Sequence, residues 1–307
     1  MAEKIIYNNT NISTATTSMA ATYDMFVGAQ QADNIVLTFE DSDSRWKKWA
    51  PKSGDTIEYQ RDGVSTGIMH IYEPQLLNGL CIIRACSMPQ DAKAKHSKSW
   101  QQVHLLQFGN EVAARFGMTF ELLGLSDLYY EHMRQENETD IGFLQKIASL
   151  EGAALILFNN RIIMAQEKPL EASDAILQVS AAGSYIESSD KRGLAYGSAE
   201  VRAGIYYGKY TADASNKRIF LPEQSITAGS NAEAVRFAAG QLRQINKQLT
   251  DAKMQTSLMP ELTAGVNIEL TGSDVPFWNG KNYLYHVRHE YHKQQTTLFM
   301  RKPLEGY

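Results

Sequence analysis

Two separate stretches of the chain read as versions of one three-strand pattern. The first runs Gly54-Asp-Thr-Ile57-Glu58-Tyr59, then Gly67-Ile-Met-His70-Ile71, then Cys81-Ile-Ile-Arg84. The second runs Gly265-Val-Asn-Ile268-Glu269-Leu270, then Tyr283-Leu-Tyr-His286-Val287, then Leu298-Phe-Met-Arg301. Gly54 to His70 is 16 residues and Gly265 to His286 is 21, and the extra five fit the loop at 276–280. His70 to Arg84 is 14 and His286 to Arg301 is 15. A repeated meander predicts one small antiparallel barrel made twice. A trimer of such chains presents six similar barrels in a ring, which can dock on a true hexamer through near-equivalent contacts.

Around the repeat the chain divides into three. Residues 1–92 carry short β-type runs at 4–7, 35–39, 56–59, 67–72 and 80–86, separated by turns such as Arg61-Asp62-Gly63 and Asn78-Gly79. No helical pattern interrupts them, so a small antiparallel barrel or sandwich is expected. Residues 93–170 predict an inserted α+β unit. Ser99 and Gln102 fit a capping box for a helix through Val103, Leu106, Val112, Ala113 and Phe116, ended by Gly117. A strand at 118–123 follows. A second helix is predicted from Thr139 to Glu151, with Ile141, Leu144, Ile147 and Ala148 on one stripe and Glu138 and Asp140 at its N-terminus. Asn159-Asn160 between apolar runs predicts a type I′ hairpin.

Residues 171–307 predict the second barrel. They include the clearest helix, from an Asn231 cap to about Thr250, with a seam of Val235, Ala238, Leu242, Ile245 and Leu249. That seam is expected to pack on its own domain, with another copy of the chain as the alternative. The expected class is therefore α+β, mainly β: two similar barrels with an inserted α+β unit.

Composition excludes more than it selects. The chain has 307 residues, 43% hydrophobic and 21% charged, with net charge −4. Those values fit a folded globular chain and offer no basic nucleic-acid surface. Residues 1–7 lack a basic segment followed by an apolar one, so no secretory leader is expected. The longest apolar run, 153–158, is too short to span a bilayer. Cys81 and Cys86 lie five apart on one predicted strand, point to opposite faces, and are expected to be buried thiols.

Three clusters could carry chemistry. His286, His289 and His292 have metal-like residue types, but on a strand His289 points away from the other two. In extended chain at ~3.3 Å per residue, His286 and His292 stand roughly 20 Å apart. Tyr283, Tyr285, Val287, His289 and Tyr291 are expected on one face. Glu136, Glu138 and Asp140 could act as acid and base, yet helix-end placement accounts for Glu138 and Asp140. Trp46 and Trp49, in the basic segment Arg45-Trp-Lys-Lys-Trp-Ala-Pro51, could stack sugars or bases, or could pack or anchor an interface. No catalytic, cofactor-binding or metal-ligating residue is assigned.

Three stretches carry a family resemblance. They are Trp100-Gln-Gln-Val103 through Ala113-Ala-Arg-Phe-Gly117, Glu136-Asn-Glu138-Thr-Asp140-Ile-Gly-Phe143-Leu144 leading into Gly152, and the ending from the 232–246 helix through Ala264-Gly265-Val-Asn-Ile268 to Tyr283-Leu-Tyr-His286-Val287. In order and spacing the chain resembles the phage late control D family, baseplate hub proteins related to the hub part of type VI secretion spike proteins. The resemblance implies a non-enzymatic homotrimer with two tail-tube-like barrels per chain. It implies a seat between a hexameric tail tube or tube-initiator protein and a trimeric central spike. Other baseplate proteins, with the tape-measure protein a candidate, would surround it, and neither specific nucleic acid nor membrane insertion is involved. Residence in the tail baseplate of a virion or phage-like contractile particle, after synthesis in a bacterial cytoplasm, follows from the same resemblance. A wall-degrading hydrolase and a receptor- or glycan-binding module are the competing expectations.

Overall fold

The computed structural model describes residues 3–28, 31–222 and 226–307. The first segment holds β1 (Glu3–Tyr7), β2 (Thr10–Asn11), β3 (Ser18–Phe26), β4 (Asn34–Glu40), α1 (Arg45–Trp49), β5 (Thr56–Arg61), β6 (Val64–Ser65), β7 (Met69–Leu77) and β8 (Leu80–Cys86). The middle holds β9 (Lys95–His104), α2 (Leu105–Ala114), β10 (Thr119–Leu123), β11 (Tyr129–Thr139), α3 (Asp140–Leu150), β12 (Ala153–Phe158), β13 (Arg161–Gln166) and α4 (Glu167–Ala172). The last holds β14 (Ala175–Ser180), β15 (Ile186–Asp190), β16 (Ser198–Ala203), β17 (Tyr206–Thr211), β18 (Ile219–Phe220), α5 (Asn231–Asn246), β19 (Thr250–Ser257), β20 (Asn267–Thr271), β21 (Gly280–Glu290) and β22 (Gln295–Arg301).

The duplication is visible in the hydrogen bonds. The first unit has the spatial order β3-β4-β8-β7-β5-β1, and the second has β15-β19-β22-β21-β20-β14, with equivalent strands in the same chain order. Gly54 and Gly265 take φ of 94° and 93°, which favours glycine. Gly54 N–H donates to Ile71 O at 2.8 Å and Gly265 N–H to Leu284 O at 2.7 Å. Ile71 N–H returns to Asp55 O at 2.8 Å, as Leu284 N–H does to Val266 O at 2.9 Å. One residue later both strands bulge. The pairing steps from Ile71↔Ala85 to Glu73↔Arg84 in one unit and from Leu284↔Met300 to His286↔Phe299 in the other.

These bonds correct the sequence alignment. Ile71 matches Leu284, so His70 matches Tyr283 rather than His286, and Arg84 matches Phe299 rather than Arg301. Shared His and Arg letters drew the sequence match out of register. The units also differ at one edge, because β1 runs antiparallel to β5 while β14 runs parallel to β20.

The two units are one sheet. The first half of β21 pairs with β20, and its second half pairs with β3, from His286↔Phe26 to Glu290↔Thr22. One core lies against it, in which Tyr23, Phe39, Ile71 and Ile83 meet Ile268, Leu284, Val287 and Leu298. The main path of the sheet ends on β2 and β15, and among the described residues no ladder closes either unit into a barrel.

A second core sits under the sheets β10-β13-β12, β9-β11 and β17-β16-β18, with Trp100, Phe108, Phe143, Leu144 and Leu155 at its centre. Helix α5 packs here through Ala234, Phe237, Ala238 and Leu242, although it lies in the third sequence segment. Of the expected seam, Ala238 and Leu242 are buried while Val235 is exposed. The helix stops at Asn246, short of 250, where the Asn246 amide turns to bond the Tyr196 backbone. Ser230, not the expected Asn231, caps its start by accepting from Glu233 N–H at 3.1 Å, while Asn231 Oδ1 accepts from Tyr207 N–H.

The first predicted helix starts late. Ser99 and Gln102 lie in β9, which pairs with β11, a strand the sequence did not announce. The first N–H groups of α2 find tertiary acceptors instead of a capping hydroxyl: Leu105 donates to Leu128 O and Leu106 to Asp127 Oδ1, both at 2.8 Å. The second helix is as expected, with Thr139 Oγ1 accepting from Gly142 N–H at 3.0 Å. Asn159 and Asn160 turn the β12–β13 hairpin at φ 48° and 58°.

Candidate functional site

The three histidines have separate partners. His286 is stacked between Phe26 and Phe299, with centroids 4.2 and 4.0 Å away, and its Nε2 lies 2.7 Å from Asp24 Oδ1. Arg288 Nε donates to the same oxygen at 2.7 Å. Burial pushes the Asp24 carboxyl up, but the hydrogen bonds from His286 and Arg288 outweigh it and hold the group below its ordinary range. His289 is fully buried, with Nε2 2.9 Å from Leu262 O and Nδ1 2.9 Å from Thr296 Oγ1. Burial lowers its pKa. A carbonyl can only accept, so Nε2 carries the proton and Nδ1 accepts from the threonine. His292 Nε2 reaches Ser18 O at 3.0 Å.

The face assignment of this strand needs correction. The bulge at Tyr285 breaks the two-residue alternation, so Leu284 and Val287 both enter the main core. Tyr283 and Tyr285 join a small cluster with Val27 and Ala154 instead.

The carboxylates do not converge either. Glu136 pairs with Arg134 on the surface, and Glu138 lies 3.9 Å from Lys146 Nζ. Asp140 is buried and accepts from Arg115 Nη1 at 2.8 Å and from Gln135 Nε2 at 2.9 Å. The tryptophan segment is helix α1. Trp46 is wholly buried against Phe39 and Tyr7, with centroids 4.6 and 5.5 Å away, so its faces are not offered to a sugar. Trp49 packs beside it at 5.1 Å. Cys81 and Cys86 are both buried and unbridged. Burial raises both thiols, Cys81 to about 12, which leaves little thiolate for chemistry.

Sequence reasoning missed a buried ionic clamp. Glu167 and Glu171 of α4 face Arg243 of α5, Lys247 just beyond it, and Arg301 of β22, all five buried. Lys247 Nζ lies 3.0 Å and Arg243 Nε 3.2 Å from Glu167 oxygens. Arg243 and Arg301 both bond Glu171, and Leu304 N–H donates to it at 2.7 Å. Burial raises Glu167, but the charges of Lys247, Arg301 and Arg243 bring it below its ordinary value. The clamp ties the α5 module to the main sheet. Glu167 and Glu171 are one helical turn apart, as are Arg243 and Lys247, but the partners that pair lie 72 to 130 residues apart, so local spacing does not signal the pairing.

Two strand edges are also left open. Glu73–Leu77 of β7 pairs with β8, while the β5 ladder reaches only Met69 and His70. Among the described residues β15 pairs with β19 alone.

No family model matches the sequence, and no curated protein matches it. Solved structures do. The chain is similar to a 43 kDa tail protein of prophage MuSo2 from Shewanella oneidensis, with TM-score 0.71, 10% identity and 98% of each chain covered. It is similar to a tail protein from Neisseria meningitidis MC58, with TM-score 0.72 and 12% identity over 97% of this chain and 95% of that one. A third is an E. coli type VI secretion component that itself resembles T4 bacteriophage tail proteins gp27 and gp5. It has TM-score 0.66 and 12% identity over 95% of this chain and 75% of that one. At such identities the likeness is one of fold: from end to end, this chain is folded like phage tail proteins.

Proposed function

We propose that the protein is a structural baseplate hub of a phage tail or phage-like contractile injection particle, a homotrimer that joins a hexameric tail tube to a trimeric central spike. The observation that carries this is the duplication. Two six-strand units share strand order, glycine turn and bulge within one sheet. Three copies of such a chain offer six similar units, which is what a threefold object needs to meet a sixfold one. Each unit would serve as a tail-tube-like barrel, and the module built on α2, α3 and α5 would lie outside them. The whole-chain fold likeness to prophage tail proteins supports a virion role.

No residue is given a catalytic task, since each candidate acid, base and ligand already has a packing or hydrogen-bonding partner. The test is co-assembly. Purified protein mixed with the tube and spike proteins of the same particle should yield a complex holding three copies of this chain. Absence of binding to either partner, or clearing of cell walls by the pure protein, contradicts the proposal.

A further inference from the structure

The sheet contains one junction between its units, and its open edges are the two halves of a second. Inside the chain, the last five residues of β21 pair with β3. Matching Leu284 to Ile71 puts Glu73–Leu77 of β7 in the place of His286–Glu290, and there the edge is open. In the second unit β15 holds the place of β3, and its outer edge is open too. Among the described residues each edge lacks the neighbour that its counterpart has.

We infer that Glu73–Leu77 of one copy pairs antiparallel with β15 of the next copy, repeating the β21–β3 junction between chains. The number of copies rests on the trimeric hub proposed above; the register comes from this chain. Ile35 pairs with Ala85 and Tyr23, and Ala252 pairs with Met300 and Ser188. Met300 holds the place of Ala85, so Ser188 holds that of Tyr23. The five internal pairs then translate to Glu73 with Lys191, Pro74 with Asp190, Gln75 with Ser189, Leu76 with Ser188, and Leu77 with Glu187.

The chemistry of the two edges fits. Glu73 and Lys191, both exposed, become an opposite-charge cross-strand pair. Leu76 and Leu77, 43% and 45% exposed on opposite faces of β7, fall at the same end of the junction as Tyr185, 83% exposed just before β15, so the junction brings apolar side chains of both copies to one end. Pro74 limits the ladder. Val27 N–H donates to Tyr285 O at 3.0 Å, so by alternation the backbone of Val287 also faces β3. Pro74 in that place gives a carbonyl and no N–H, which removes one bond and guards the free edge against indiscriminate strand addition. Because the two edges differ, the contact is head-to-tail and generates a ring when the rotation closes.

The test is a cross-link. Gln75→Cys with Ser189→Cys occupies the counterpart of Arg288 and Asp24, whose backbones turn away from each other and bring the side chains close. Native Cys81 and Cys86 are buried, so mild oxidation addresses the new pair, and wild type is the control. Linked dimers and trimers that reductant dissolves are expected, with much less product from the shifted pair Gln75→Cys with Asp190→Cys. A trimer by mass without the link overturns the edge assignment and leaves the hub standing. Monomer mass with no link overturns both. A charge swap gives a second reading if the cysteine variants fail to fold. Glu73→Lys should weaken association about fivefold, and adding Lys191→Glu should restore it; no loss, or loss without rescue, also overturns the edge assignment.

Discussion

At the residue scale, two buried acids respond to pH in opposite senses. Asp33 accepts from Phe26 N–H at 2.8 Å, and burial pushes its carboxyl up to about 7 from an ordinary 3.8. The folded state therefore holds this proton more tightly than the unfolded chain, and stability falls as pH rises from about 4 to about 7. Asp33→Asn should melt higher than wild type at pH 8, by about 1–3 kcal/mol, with the gap closing toward pH 4; thermal melts across that range check it. Glu167 is lowered, so its contribution is full above the ordinary carboxylate range and fades as pH falls below it. Glu167→Gln leaves Arg243, Lys247 and Arg301 on one carboxylate and should cost about 3–5 kcal/mol in urea unfolding at pH 7. Neither site was legible in the sequence. Asp33 carries no pattern, and the helical spacing of Glu167 with Glu171 and of Arg243 with Lys247 does not say that the two pairs meet, since only the tertiary packing of α4, α5 and β22 brings them together.

At the element scale, close backbone approach decides how α5 sits. A Cβ on Gly240 would meet Leu150 O at 2.0 Å, so α3 and α5 touch backbone to backbone there. Gly240→Ala should destabilise by about 1–3 kcal/mol. Gly193→Ala, where a Cβ meets nothing within 4 Å, should stay within about 0.5 kcal/mol of wild type. Guanidinium or urea midpoints separate the two. Elements with strong local chemistry were legible: the Thr139-capped helix, the Asn159-Asn160 hairpin and the strand Leu80–Cys86 all form where the sequence points. Failures came where tertiary partners replaced local ones. Helix α2 takes its first acceptors from Leu128 and Asp127, so Ser99 was free to stay in a strand. The Trp46 segment reads as a basic aromatic loop but is a five-residue helix, and of the roles open to Trp46 the structure shows packing in the core.

At the scale of the whole molecule, the repeat was legible as a pattern and misread in register. The sequence shows conserved letters between its halves, whereas the sheet shows conserved bonds, and a bulge in each copy separates the two descriptions. What the letters could not reveal is that the units share one sheet through β3 and β21. That internal junction is the reason to expect more of the same between chains. The central claim is a ring of three chains, and mass in solution tests it most directly. Light scattering from micromolar to millimolar concentration should show a species three times the 34.4 kDa of one chain, growing with concentration and weakened by Glu73→Lys. A single-chain mass throughout, or a dimer as the end state, contradicts it.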